Sequence, residues 1–230
     1  MLWKKKLLEL QCRIRMNIRT LFGKIFGRRK AGFEPEHILF GLGNPGDEYL
    51  LTRHNIGFRI IDSLQTVLSG KTVREHCKSI CFEGFAGAAH KPIVLVKPLT
   101  FMNLSGEAVQ ACLGKYRLEL SKSLVIVDDF NIPLGTVRFR KGGTHGGHNG
   151  LKSVSSSVGS GFPRLRVGIG PLPPGVDIIS FVLGDFTQQE TEKAGKVVEA
   201  AASAVRFLLD NDIEKTMNKY NSVPLVDGDG

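Results

Sequence analysis

The chain has 230 residues, 42% of them hydrophobic and 23% charged, which are ordinary globular values and enough for one substantial core without staples. No stretch approaches the roughly 20 apolar residues of a transmembrane helix, and four cysteines without a CxxC pair or a secretory signal read as reduced thiols, not as a disulfide framework. The formal charge of +9 is local: residues 1–30 hold ten Lys/Arg against Glu9 alone, residues 31–230 hold 21 bases and 21 acids, and the basic pI therefore says nothing about the partner of the domain itself.

In residues 1–26, Trp3, Leu7, Leu10, Ile14, Ile18, Leu21 and Ile25 recur every three or four positions, the spacing of one side of a helix, with most Lys/Arg elsewhere around it. A basic amphipathic helix suits an anionic membrane surface, an RNA contact or an organelle-targeting segment, and a poorly ordered extension fits the same composition. Gly27 to Pro35 reads as a linker. The expected organisation is therefore an extension over residues 1–36, a domain over 37–222 and a tail over 223–230.

Ile38-Leu39-Phe40 predicts a short strand that ends in Gly41-Leu-Gly-Asn-Pro-Gly46, with Asp62 further on. This has the form of a dinucleotide-binding fingerprint. Pro45 argues against it, because proline lacks the backbone N–H that such a turn aims at a pyrophosphate, and Asp47 and Glu48 would repel one. Tyr49 and Thr52-Arg-His-Asn55 follow, and then the helical spacing of Ile60, Ile61, Leu64, Val67 and Leu68. Residues 79–89 alternate as a strand, a better reading of the surroundings of His76, Cys77 and Cys81 than a zinc site.

Ile93–Lys97, bracketed by prolines, predicts a buried strand with the exit Leu99-Thr-Phe-Met-Asn-Leu-Ser-Gly106, and helix resumes from Ala108 to Tyr116. Leu124–Val127 predicts another strand ending in Asp128-Asp129. In Thr136–Arg140, period two sets Val137 and Phe139 on one face and Arg138 and Arg140 on the other. With Lys141 they form a basic edge leading into Gly142-Gly-Thr-His-Gly-Gly-His-Asn-Gly150. Helix follows from Leu151, then a strand, Arg164–Ile169, with Arg164 and Arg166 on one face, and a proline-rich loop to Gly175. Thr187-Gln-Gln-Glu190 has the form of a capping box that opens a long helix through Val197, Ala201, Val205 and Leu208, and Asp212–Asn221 predicts a last helix.

Five glycines in nine residues give the backbone positive φ and close approach to a ligand, so the run from Gly142 reads as part of a site. Phosphate cradling, metal ligation by His145 and His148, and presentation of a His/Asn pair to a polar substrate compete for it. A Walker loop is disfavoured because Leu151 and Lys152 stand where Lys-Ser or Lys-Thr is needed. Polar groups gather at four exits, Asn44 with His54, Met102-Asn103, Asp128, and His148-Asn149. A histidine beside a buried carboxylate makes a general base, and asparagines hold a water, an oxyanion or a substrate amide. No serine or cysteine stands in a nucleophile motif, which favours water as the attacking group.

The motifs Gly41-Leu-Gly-Asn-Pro-Gly46, Tyr49, Thr52-Arg-His-Asn55, Pro98-Leu-Thr-Phe-Met-Asn-Leu-Ser-Gly106, Val127-Asp128-Asp129 and Gly146-Gly-His-Asn-Gly-Leu-Lys152 together resemble the motif set of bacterial-type peptidyl-tRNA hydrolases, in order from about Ile38 to Asn221. The resemblance implies a single α/β domain with a mixed central sheet flanked by helices. It also implies a metal-independent hydrolase, without cofactor, that cleaves the ester between a peptide and the tRNA 3′ ribose. Carried over by position, His54 is the implied base, Asp128 its orienting acid and Asn44 the group that tells a blocked amino group from a free one. Tyr49, Phe101, Met102, Asn103, His148 and Asn149 line the implied peptide and adenosine channel, and Arg140 and Arg166 face the acceptor stem and CCA end. Near Asn131 the family often has a further acid or polar residue, and the basic extension is outside its usual pattern. A monomer in the cytoplasm is expected, or an organellar protein if residues 1–30 target it, with RNA or anionic membrane as candidate contacts of that segment. The alternative is a non-catalytic RNA-binding relative, such as an organellar intron-splicing cofactor. Retention of His54, Asp128, Asn103 and Asn149 together favours the enzyme.

Overall fold

The apolar runs become the parallel centre of one mixed sheet in the computed structural model, which describes residues 33–221 and 224–226. Strands β1 (His37–Gly41), β4 (Lys91–Pro98), β5 (Ser123–Pro133) and β7 (Arg164–Gly170) lie in the order β4-β1-β5-β7, all parallel. On the β4 side, β3 (Ser79–Ala86) and then β2 (Ser69–His76) add antiparallel strands, and β6 (Val137–Arg140) closes the other side antiparallel to β7. The chain divides into units Met1–Glu34 and Pro35–Gly230. The amphipathic pattern of residues 1–26 lies outside the described residues.

Both faces of the central strands are buried, which is why they read as nearly continuous apolar runs. Leu39, Leu95, Leu124, Ile126 and Val167 share a core with α1 (Ile56–Thr66), α4 (Ile178–Leu183) and α5 (Gln188–Asp210). The alternate residues Ile38, Phe40, Val94, Val96 and Val125, equally buried, point to the other face, toward the layer of α2 (Ser105–Tyr116) and α3 (Asn149–Val158). The last helix, α6 (Ile213–Tyr220), is capped by Asp212, whose side chain accepts from the Lys215 N–H. The capping box is complete, with Glu190 N–H donating to Thr187 Oγ1 and Thr187 N–H to Glu190 Oε2.

Gly41 and Gly57 let α1 sit directly on the end of β1: a Cβ on Gly57 would lie 2.5 Å from the Leu42 carbonyl oxygen. The first glycine of the apparent fingerprint therefore serves helix–strand packing, and Asp62 pairs with Lys97 at 2.8 Å and not with a ribose. Several elements differ from expectation. β2 carries no apolar alternation because nearly all of it is exposed, so periodicity had nothing to register. Short α4 has only six residues, below the length at which a helical period stands out. α1 stops at Thr66, leaving Val67 exposed, and β5 continues past Asp128 to Pro133. Within the expected tail, Leu225 N–H donates to the Gly135 carbonyl at 2.7 Å.

Candidate active site

β1 is the switch point of the sheet: the chain goes from it to β4 on one side and later to β5 on the other, and crevices at such points receive ligands at the carboxyl ends of the strands. His54 reaches this crevice from a single 3-10 turn, Arg53–Asn55, that joins directly to α1. That turn is fixed from three sides. Arg53 N–H donates to the Gly184 carbonyl, its guanidinium donates to the Asp185 carbonyl at 2.6 Å and to Glu190 Oε2 at 2.7 Å, and it stacks over the Phe181 ring at 4.5 Å. Asn55 clamps β1's exit, with Nδ2 donating to the Asn44 carbonyl and Oδ1 accepting from the Asn44 N–H, at 2.9 and 2.8 Å.

His54 is only 7% exposed, and its Nδ1 lies 2.8 Å from Oδ1 of the buried Asp128. The same oxygen meets His148 Nε2 at 3.0 Å, and the two imidazole centroids are 5.0 Å apart. His148 is the N-cap of α3, where its Nδ1 accepts the Leu151 N–H at 3.2 Å. That acceptor role places the His148 proton on Nε2, donating to Asp128. His54 donates from Nδ1 in turn, which leaves its Nε2 lone pair unengaged among the described residues.

The electrostatics follow from that shared oxygen. For His54, burial pushes the imidazole pKa down, but the Asp128 charge and hydrogen bond outweigh burial and hold it above the ordinary histidine value. For Asp128, burial pushes upward, yet the two adjacent imidazoles and their hydrogen bonds hold the carboxyl well below the usual carboxylate range. His54, Asp128 and His148 also form the one three-donor cluster among the described residues compact enough for a cation. The ring nitrogens that face Asp128 are already spent on its Oδ1, so a metal at the centre of the cluster would have to replace both imidazole–carboxylate bonds. His145 is not in this cluster, and its Nδ1 accepts the Gly147 N–H.

Near this pair in the chain's exits, Asn44 Oδ1 accepts the Met102 N–H at 2.8 Å, which leaves the amide Nδ2 of Asn44 as its remaining donor. Met102 is buried, and a Cβ on Gly150 would lie 2.5 Å from its sulfur, so a side chain there would have to push Met102 aside where α3 meets the exit of β4. Asn103 and Asn149 stand exposed with unpaired carboxamides among the described residues, and Tyr49 meets the exposed Phe101 edge-on at 6.4 Å. Arg138 and Arg166 are cross-strand partners, as are Arg140 and Arg164, so the four share one face of the β6–β7 pair. Their surroundings differ. Arg140 is exposed, whereas Arg166 pairs with the buried Asp129 at 2.5 Å and stays partly accessible. Arg164 is buried, donating to the Thr144 and Ser160 carbonyls and so pinning the glycine run.

The sequence reading assigned no role to Asn55, Arg53, Asp129 or Arg164. Asn55 and Arg53 lie within the quoted Thr52-Arg-His-Asn55 motif, which was the available signal. For Arg164 there was none, since a buried arginine on a strand reads as a solvated one until the glycine run folds over it.

A family model described as peptidyl-tRNA hydrolase matches residues 38–227. The chain is 43% identical over 192 residues to a peptidyl-tRNA hydrolase of Fervidobacterium nodosum, covering 83% of this chain and 99% of that one. With one from Clostridium perfringens the identity is 41% over 187 residues, covering 81% and 97%. The crystal structure of a peptidyl-tRNA hydrolase from Acinetobacter baumannii superposes with a TM-score of 0.75 at 31% identity, covering 85% of this chain and 100% of that one.

Proposed function

The chain belongs to the peptidyl-tRNA hydrolase family and hydrolyses peptidyl-tRNA, and from that premise we propose which of its groups perform the reaction. His54 Nε2 takes a proton from water, whose oxygen attacks the ester carbonyl, and the resulting imidazolium returns a proton to the departing 3′ ribose oxygen. Asp128 holds the His54 tautomer and stabilises the imidazolium, as an orienting carboxylate does. The Nδ2 donors of Asn44, Asn103 and Asn149 bind the peptide carbonyls and the oxyanion. Tyr49, Phe101, Met102 and His148 line the channel for the last peptide residue and the terminal adenosine. Arg140 faces the acceptor-stem phosphates, and Arg166 does so from its Asp129 partner. Residues 37–222 act as a monomeric catalytic domain in the cytoplasm, or in an organelle if residues 1–30 direct it there.

The observation that carries this reading is the 2.8 Å contact of His54 Nδ1 with Asp128, which leaves the lone pair on Nε2 free to act as a base. Release of the acyl group from N-acetyl-aminoacyl-tRNA is the direct assay. His54→Ala is expected to lower kcat by about 10²- to 10⁴-fold without unfolding the domain. Full turnover by that variant would remove His54 from the role of base.

A further inference from the structure

All the large apolar side chains that stand exposed among the described residues, apart from Val67 and Val73, lie on loops or short helices at the carboxyl end of the sheet. One group of them is not explained by the catalytic crevice itself. Leu51 is 66% exposed and Ile179 61%, with Leu50, Ile178 and Leu183 also exposed beside them in sequence. The two segments are tied together: Thr52 and Asp185 form an antiparallel bridge, and Arg53 N–H donates to the Gly184 carbonyl at 3.0 Å. Helix α4 is anchored by Phe181 and Val182 in the α1–α5 core, which fixes Ile178, Ile179 and Leu183 outward. Continuity with the crevice comes from the chain: Leu50 follows Tyr49, which packs against Phe101, and Thr52 precedes the turn that carries His54.

We infer that this ledge is a secondary subsite for the peptide part of the substrate, taking apolar residues upstream of the one esterified to tRNA. The inference rests on the hydrolase site proposed above. Charge decides which half of the substrate belongs here. The ledge is bordered by the exposed acids Asp47 and Glu48 next to Leu50, and Asp177 and Asp185 around α4. Phosphodiesters are repelled from such a border, while an uncharged peptide is not. The exposed bases Arg140 and Lys152 belong to the edge strand β6 and to α3, the latter in the helical layer opposite α4, and the nucleic acid is drawn to that side. The peptide is esterified to the tRNA 3′ ribose, with the ester carbonyl presented to the His54 base, and must leave over the flank the phosphates do not occupy. Five exposed apolar side chains on two segments tied together at that exit make a binding surface and not a scatter of single leucines.

The test uses the full chain with three substrates: N-acetyl-aminoacyl-tRNA, and peptidyl-tRNAs carrying equally long peptides of Leu/Val/Phe or of Ser/Gly. The wild type is expected to show a lower KM for the apolar peptide than for the Ser/Gly one, and the double variant Leu51→Ser, Ile179→Ser to raise that KM about five- to tenfold with kcat retained. The other two substrates are expected to be unaffected, and the melting temperature unchanged, because both positions are exposed. Equal KM values for the two peptides in the wild type, or an equal change for all substrates in the variant, would overturn the subsite. So would sedimentation showing a dimer that the double substitution dissociates while KM stays constant, since the ledge would then be a contact between copies. If the wild type releases no acyl group from N-acetyl-aminoacyl-tRNA, it is the site assignment that fails, and the two failures are told apart.

Discussion

At the residue scale the site turns on a single oxygen. Asp128 Oδ1 receives both imidazoles, and the opposing directions of the His54 and Asp128 shifts separate the conditions for stability from those for turnover. The raised His54 value contributes stability that is full below its unfolded value of about 6.5 and is lost as pH rises through the folded value. The lowered Asp128 value contributes stability that is full above about 3.9 and is lost as pH falls through the folded value. The ion pair is thus most stabilising between those limits, whereas a general base must be neutral and works above them. The acid limb of kcat/KM is accordingly expected above about 6.5. In Asp128→Asn, burial is left to act on His54 without the charge, so the limb is expected to move to lower pH while kcat falls about 10²- to 10⁴-fold. A limb that stays in place would mean that another group titrates. His148 has a second duty as the cap of α3. His148→Asn keeps a good cap and loses the Asp128 contact, while His148→Ala loses both, so denaturant unfolding is expected to place the alanine variant about 1 kcal/mol below the asparagine one.

Elements position the site through a few close approaches. Gly57 brings α1 against the Leu42 carbonyl, and the turn carrying His54 is continuous with that helix. Gly57→Ala is therefore expected to cost about 1–3 kcal/mol in urea unfolding and to depress kcat as well, because the helix must shift with the turn attached. A variant that loses stability but keeps kcat would show that Arg53 alone sets the turn. The capping box at Thr187 is a purely structural counterpart. Thr187→Ala is expected to lower stability by about 1 kcal/mol and leave KM for N-acetyl-aminoacyl-tRNA unaffected, although Glu190 also holds Arg53.

Over the whole molecule, charge is divided unequally: residues 31–230 sum to zero and residues 1–30 carry the excess. A neutral domain that holds tRNA must concentrate its positive potential, and the arginine face of β6–β7 is where the strands gather it. Arg140→Ala is expected to weaken tRNA binding at low salt and flatten the dependence of log K on log salt, with little effect at high salt. An unchanged slope would take Arg140 out of the phosphate contacts. No helix among the described residues is long and apolar enough to cross a membrane.

What the sequence determined by itself was whatever is local in the chain. The positions of the four central strands, the capping box, the chemistry available at His54, Asp128 and the asparagines, and the family resemblance all depend on residue types at short spacings. Tertiary structure decided what depends on distant pairs. It closed the gap of 74 positions between His54 and Asp128, made His148 share the same oxygen, turned Arg164 inward to hold the glycine run and tied Leu51's loop to α4. Periodicity reports which face of an element is buried but not what covers it, so an arginine or leucine on an ambiguous face acquires its meaning only when the opposing chain arrives.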